Sequence, residues 1–435
     1  MGRCCRARLM PADQVMSSSR CPQCGNTSER VCMMPRTALD GIRVLDLGDF
    51  VSAPFCARLL GDLGAEVVKV ESLDGDSARR YGPFRNDIPD AEASGLFLYL
   101  NSNKASVTLN WRSQAGRELL EALLDDTDIV VLDSDLSGKN HFTLDDLQRM
   151  HQSHPNLIVV AITPFGLVGR YSDYAAYDIN VSSIAGATSN ATFTDREPLM
   201  MPTLQVEMLA GLGAAFSTMA ALLSRARHGQ GQIIDFAQAQ LIGTQAGGAP
   251  GHAPRAAAAQ MRIAAPARGL YPNHVLPCSD GYVYLFAPQI QQWLGLVAAM
   301  GEPDWTKERR FRNRRAMSQE YPEESDAHVS EWLRAHTKLE LLALFLQHRV
   351  PSAPLLNAKE VLESAHLLDR RFFDDRDHPV AGPLTYPGFQ FRMSATPMRY
   401  RRRAPLLGEH NDTVFGEQLQ LTDDRLARLR ENGVI

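Results

Sequence analysis

The sequence predicts an α/β fold: a Rossmann-like, doubly wound parallel-sheet domain plus a smaller α/β domain. Two patterns carry this prediction. From Leu39 onward, short Val/Ile/Leu-rich runs alternate with helix-length segments. Aliphatic runs of this kind are strands buried on both faces, and strand–helix alternation winds them into a parallel sheet. An Ala/Gly/Pro-rich stretch over 247–266 then separates this pattern from a second, shorter one. With 435 residues, the chain is long enough for two cores.

Taken in order, residues 42–47 (IRVLDL) form the first strand. A helix runs from Pro54 to Leu63, with proline in the first turn, where a missing N–H costs nothing. Gly64 and Ala65 end it, and strands follow at 66–71, 106–109, 129–132 and 157–162. Helices fit 114–124 and 144–150 between them. A long Ala-rich helix opens near Glu207 and runs to Arg227. Residues 233–236 are strand-like, and a helix is placed over 235–241. In the second pattern, a turn over 277–281 feeds a strand at 282–287, with helices at 290–300, 326–335 and 338–348. The charged stretch Arg309 to Arg315 reads as a solvated helix face. After about residue 366 the chain reads as loop-rich, closing with a helix near 423–431 that returns to the first domain. The domain reading is an extension over 1–33, a large domain begun by 34–228, a linker over 229–265, a small domain over 266–350, and a return segment over 351–435.

Composition excludes several classes of function. A net charge of −5 argues against an extended surface for nucleic acid. The most apolar stretch, 208–223, carries Ser217 and Thr218 and reads as a buried helix of a soluble, cytoplasmic protein, with no membrane partner. Five of the seven cysteines lie in the first 32 residues; Cys21 and Cys24 form half of a zinc-knuckle pattern without a well-spaced second pair, so no metal is expected. The turn 48–54 (GDFVSAP) lacks G-x-G-x-x-G, which argues against a dinucleotide cofactor.

The residue that stands out chemically is Glu207, a carboxylate at the head of an otherwise apolar helix. Two readings are open. It complements the helix dipole, an effect of roughly 0.3–1 kcal/mol, or it is a reactive group.

Several segments, in order and at matching spacing, resemble the family III CoA-transferases (CaiB/BaiF type). They are 39–47 (LDGIRVLDL), 63–71 (LGAEVVKVE), 100–109 (LNSNKASVTL), 177–180 (YDIN), 229–232 (GQGQ), 280–283 (DGYV) and 404–410 (APLLGEH). The resemblance spans nearly everything from Leu39 to Ile435. It implies a Rossmann-like domain built from both chain ends and an interlocked homodimer. The substrates it implies are an acyl-CoA and a small carboxylic acid, with coenzyme A carried as part of the substrate and no permanently bound cofactor.

The resemblance also assigns residues. Family transferases place a nucleophilic aspartate where this chain has Glu207, so an acyl anhydride and a glutamyl-CoA thioester are implied, with one methylene too many. Tyr177 matches a position lining the thioester pocket, or is a core tyrosine; Asp178 orients neighbours or caps a helix. Val51, Ser52 and Ala53 match the segment approaching the pantetheine. Leu109 and Arg112 match positions near the adenine and its phosphates, and Lys104 and Arg58 are phosphate partners or surface charges. Asp133 and Asp135 replace a Glu-Asn-Phe segment and are unfavourable beside a polyanion. A glycine-rich active-site loop is replaced by Arg268-Gly269-Leu270-Tyr271, so formate and oxalate are not expected as substrates. Two alternatives follow from these departures: a non-catalytic CoA-binding subunit of a heteromer with a related chain, and a 2-methylacyl-CoA racemase. Tyr177 stands where racemases have histidine and is a poor base at neutral pH.

Overall fold

A computed structural model describes residues 37–133, 142–190, 197, 199–202, 204–245 and 270–435. The expected extension 1–33, the stretch 247–266, Ser134, Asp135, Arg268 and Gly269 lie outside the described residues.

Six parallel strands form the main sheet in the order β3-β2-β1-β4-β5-β6. They are β1 (Arg43–Asp46), β2 (Glu66–Glu71), β3 (Lys104–Thr108), β4 (Ile129–Asp133), β5 (Ile158–Thr163) and β6 (Ile233–Ala237). The helices between and directly after them are α1 (Ser52–Asp62), α2 (Gly95–Leu100), α3 (Gln114–Leu124), α4 (Leu144–Ser153), α5 (Asp178–Ile184), α6 (Ala187–Asn190), α7 (Gln205–His228) and α8 (Gln238–Gln245). Because strand side chains alternate, each strand feeds two cores. Val44, Val67, Ile129, Val131 and Val160 pack under α1, α2 and α7. Leu45, Val130, Leu132 and Val159 pack on the opposite face with α3, α4 and the helix Asp423–Glu431. A sheet covered on both faces explains why its strands read as unbroken aliphatic runs.

The sheet reverses direction of winding between β1 and β4, which pair in parallel as Val44↔Ile129 and Leu45↔Val130. Crevices outside the carboxyl ends of strands at such a switch point are where ligands bind in open α/β sheets.

Two expectations about residues 229–245 are corrected. This stretch is not linker: Ile233 to Ala237 pairs with Val159 to Thr163 as the sixth strand. The ladder extends the strand to Ala237, so the following helix opens at Gln238 rather than at 235. Tertiary pairing overrides the local helical pattern here.

A second, antiparallel sheet has the order β7-β8-β9: β7 (Asn273–Cys278), β8 (Gly281–Phe286) and β9 (Ser352–Pro354). It packs with the helices Ile290–Ala299, Pro322–Leu333 and Lys338–Gln347 around Tyr271, Trp293, Leu296 and Phe345. Its third strand lies just past residue 350, the expected edge of the small domain. Pro277 and Cys278, expected in a turn, belong to β7. Arg314, expected on a solvated face, is buried and donates to the carbonyls of Tyr271, Ala287 and Pro288.

The region after 366 is more ordered than expected, with a hairpin of β10 (Phe373–His378) and β11 (Gly382–Pro387). It then lies against the main sheet: Asn103 donates to Arg399 O, His410 N–H to Ser106 O, and Asn110 N–H to Val434 O.

α7 is long and apolar enough in length and composition to cross a membrane. One face packs on α1 through Ala210, Gly211, Ala214 and Ala215, all buried. A Cβ on Gly211 would stand 2.6 Å from Ser52 O, so only glycine permits this approach. The expectation of a wholly buried helix is corrected on the other face, where Phe216 is 78 % exposed and Leu212 and Leu223 about half exposed.

Candidate active site

The site forms where β1, β4, β6 and α7 converge. The turn 48–51 leaves β1 and enters α1 with Phe50 at φ 65, in the left-handed region. That conformation costs a bulky residue on the order of 1–3 kcal/mol and persists only when its surroundings fix it. They do so here: Phe50 N–H donates to Asp76 Oδ1 at 3.1 Å, and Asp49 N–H to Asp133 Oδ1 at 2.9 Å. Lys69 Nζ donates to Gly48 O at 2.9 Å. Leu204, the residue before α7, is also left-handed at φ 67. The two strained turns deliver Ser52 and Glu207 to one place.

There, Ser52 Oγ donates to Glu207 Oε2. Gln238, at the head of α8, donates from Nε2 to the same Oε2 at 3.1 Å and to Ser52 Oγ at 3.0 Å. Ser52 and Gln238 are buried, at 1 % and 4 % exposure. Burial pushes the Glu207 carboxyl up to about 7; the charge of Asp178 adds to the rise, and the donors Ser52 and Gln238 restrain it.

Asp178 is not the N-cap of α5, a position Tyr177 holds; it is the first helical residue. Its oxygens are closed off from solvent without a hydrogen bond of ordinary geometry. Burial raises its pKa, and the N–H groups of residues 204–207 facing it hold part of that rise back. Tyr177 is 66 % exposed, which corrects the core-tyrosine alternative. Val51 and Ala53 are fully buried and support the turn from below. Burial raises Asp133 well above the usual carboxylate range, and Glu207 is among the charges that reinforce this. Its oxygens take the Asp49 and Ala53 N–H groups, so it braces the turn rather than facing outward as a free anion.

Two expected phosphate partners are interior. Lys104 is fully buried and bonds Asp46 Oδ2 and Pro54 O at 2.7 Å each and Asn101 Oδ1 at 2.8 Å. Arg58 pairs with Asp62 at 3.4 Å, its guanidinium 4.0 Å over the Tyr99 ring. Neither is a surface charge: Lys104 is paired with Asp46 in β1, and Arg58 with Asp62 one turn along α1. Leu109 is also fully buried, in the core. Arg112 instead lines a cavity of about 760 Å³ with Trp111, Arg117, Phe142 and Arg149, where Trp111 and Phe142 stack at 6.3 Å. No cluster suited to a metal ion occurs among the described residues.

The family profile described as "CoA-transferase family III" matches residues 39–411. The chain belongs to CoA-transferase family III. Succinyl-CoA–D-citramalate CoA-transferase of Chloroflexus aurantiacus is 30% identical over 416 residues, covering 92% of this chain and 99% of that protein. Formyl-CoA:oxalate CoA-transferase of Streptomyces avermitilis is 30% identical over 426 residues, with 92% and 99% covered. A crystal structure of a CaiB/BaiF family protein from Brucella suis superposes with a TM-score of 0.76 at 27% identity, covering 88% of this chain and 99% of that one. As a family III CoA-transferase, the protein is an enzyme that transfers coenzyme A to a carboxylic acid.

Gln238 is the residue sequence reasoning missed. Its signal was weak: a polar side chain directly after a strand, hidden by a helix placed three residues too early.

Proposed function

We propose that this family III CoA-transferase moves coenzyme A from an acyl-CoA to a small carboxylic acid through Glu207. The observation that carries the reading is the placement of the Glu207 carboxyl at the sheet's switch point, held against the head of α1 by Ser52 and Gln238. The carboxylate attacks the thioester carbonyl and expels CoA thiolate, leaving a mixed anhydride. The thiolate then attacks the glutamyl carbonyl, releasing the first acid and forming a glutamyl-CoA thioester. The acceptor carboxylate displaces the thiolate in turn, and thiolate attack on the acceptor acyl carbon releases product and restores Glu207. Tyr177 and Asp178 border the acyl group. The cavity with Trp111 and Arg112 takes the adenine against the Trp111–Phe142 stack and the phosphates beside Arg112 and Arg117, while Asp146 holds Arg149.

The test is trapping. Incubation with an acyl-CoA panel that includes succinyl-CoA, followed by hydroxylamine and peptide mass mapping, is expected to place a hydroxamate on Glu207. Its absence across the panel with CoA still bound would instead mark a non-catalytic subunit.

A pH dependence follows from the shifted carboxyl. The nucleophile is the ionised form, so kcat/KM is expected to fall as pH drops through about 7. A profile flat from pH 6 to 8 (roughly one unit either side) would contradict this.

A second copy of the chain covers the open apolar face of α7, around Leu212, Phe216 and Leu223. A family-type interlocked homodimer is the arrangement this favours. Light scattering is expected to give twice the chain mass; a monomer at working concentration would rule it out. Free, buried Cys56 and Cys278 fit a reducing cytoplasm, and cell fractionation checks that location.

A further inference from the structure

Gln238 is a buried amide, 4 % exposed, at the head of α8. An amide moved from water into such surroundings costs a few kcal/mol unless its hydrogen bonds are replaced. Here its two N–H donors are used within the site: Nε2 lies 3.0 Å from Ser52 Oγ and 3.1 Å from Glu207 Oε2. Ser52 Oγ closes the triangle by donating to that same Oε2. Three separate parts of the chain converge on one carboxylate oxygen, and Gly211 fixes the gap between two of them by admitting the Ser52 carbonyl against α7.

We propose that Ser52 and Gln238 are positioning residues that clamp one oxygen of Glu207, fitting the site to glutamate and leaving bond formation to the other oxygen. This rests on Glu207 being the nucleophile. An aspartate at 207 would withdraw its carboxylate by about one C–C bond, ~1.5 Å, and lose the geometry of both donors. Both donors are neutral, so they orient the carboxylate without pairing it to a cation. A cation there would stabilise the ionised group further and blunt its attack.

The test uses the full-length enzyme with Ser52→Ala, Gln238→Leu and Gln238→Asn, alongside Glu207→Gln. Carbon-13 glutamate labelling follows the Glu207 carboxyl, assigned by its loss in Glu207→Gln, and needs no substrate. Removing either donor is expected to raise the apparent Glu207 pKa, because both favour the ionised form. With succinyl-CoA as donor, each of the three donor variants is expected to lower kcat about tenfold and a Ser52→Ala/Gln238→Leu double variant about a hundredfold, with KM within about twofold. Gln238→Asn keeps an amide in case Gln238→Leu does not fold, and is expected to lose the clamp by its shorter reach. An unchanged Glu207 titration in all three donor variants overturns the clamp whether or not succinyl-CoA is turned over. Retained turnover in Glu207→Gln overturns the nucleophile reading instead, so the two failures are separable.

Discussion

Glu207→Gln is expected to abolish CoA transfer, with kcat falling at least about a thousandfold, as losses of a covalent nucleophile do. The substitution keeps the shape of the side chain and removes only its ability to form the anhydride. The amide still presents a carbonyl oxygen to Ser52 and Gln238, and Gly211 still seats α7 on α1. Folding and thermal stability should therefore be little changed. Mass mapping after hydroxylamine should lose the modified peptide at the same time as turnover. A Glu207→Gln enzyme with wild-type kcat would end the covalent reading.

The second large effect concerns stability. Lys69 is fully buried, its Nζ 2.6 Å from Asp76 and 3.7 Å from Asp46, and it donates to Gly48 O. Burial disfavours its ammonium, yet the surrounding acids Asp46, Asp76 and Glu71 outweigh burial and hold its pKa above the ordinary lysine range. Lys69→Met removes the cation paired with buried Asp76, while Asp46 keeps Lys104 and Glu71 keeps Arg79; breaking such a buried pair costs about 3–5 kcal/mol. The variant also deletes the Lys69 bond to Gly48 O, one anchor of the strained turn before Ser52, so turnover should fall with stability. Denaturant titration should show a lower midpoint with an unchanged slope. Adding Asp76→Asn should recover part of the loss by removing one stranded charge. An unchanged midpoint would mean the network holds the turn by other contacts.

The parts of this protein legible in the sequence were those set by local pattern. Residues 114–124 and 423–431 appear as helices with the expected bounds, because amphipathic spacing and the serine and threonine before them fix both face and start. The strands were legible because a sheet buried on both sides demands aliphatic runs. Glu207 stood out because an acid is conspicuous in an apolar helix. Lys104 and Arg58 misled for a physical reason: a charged residue looks exposed until its buried partners, Asp46 and Asp62, are known. Those partners lie outside any local window in the case of Lys104, 58 positions away.

Gln238 marks the boundary most clearly. It is 31 positions from Glu207 and 186 from Ser52 in sequence, and nothing local distinguishes it from a solvated helix start. The sequence alone determined the α/β class, the covered sheet and the acid at the head of α7, because each depends on periodicity or on one residue type in its own stretch. The tertiary structure decided which side chains surround that acid and which cations are spent inside. Those outcomes depend on strand order and on the closeness of α1 to α7, and both are set by contacts between segments far apart along the chain.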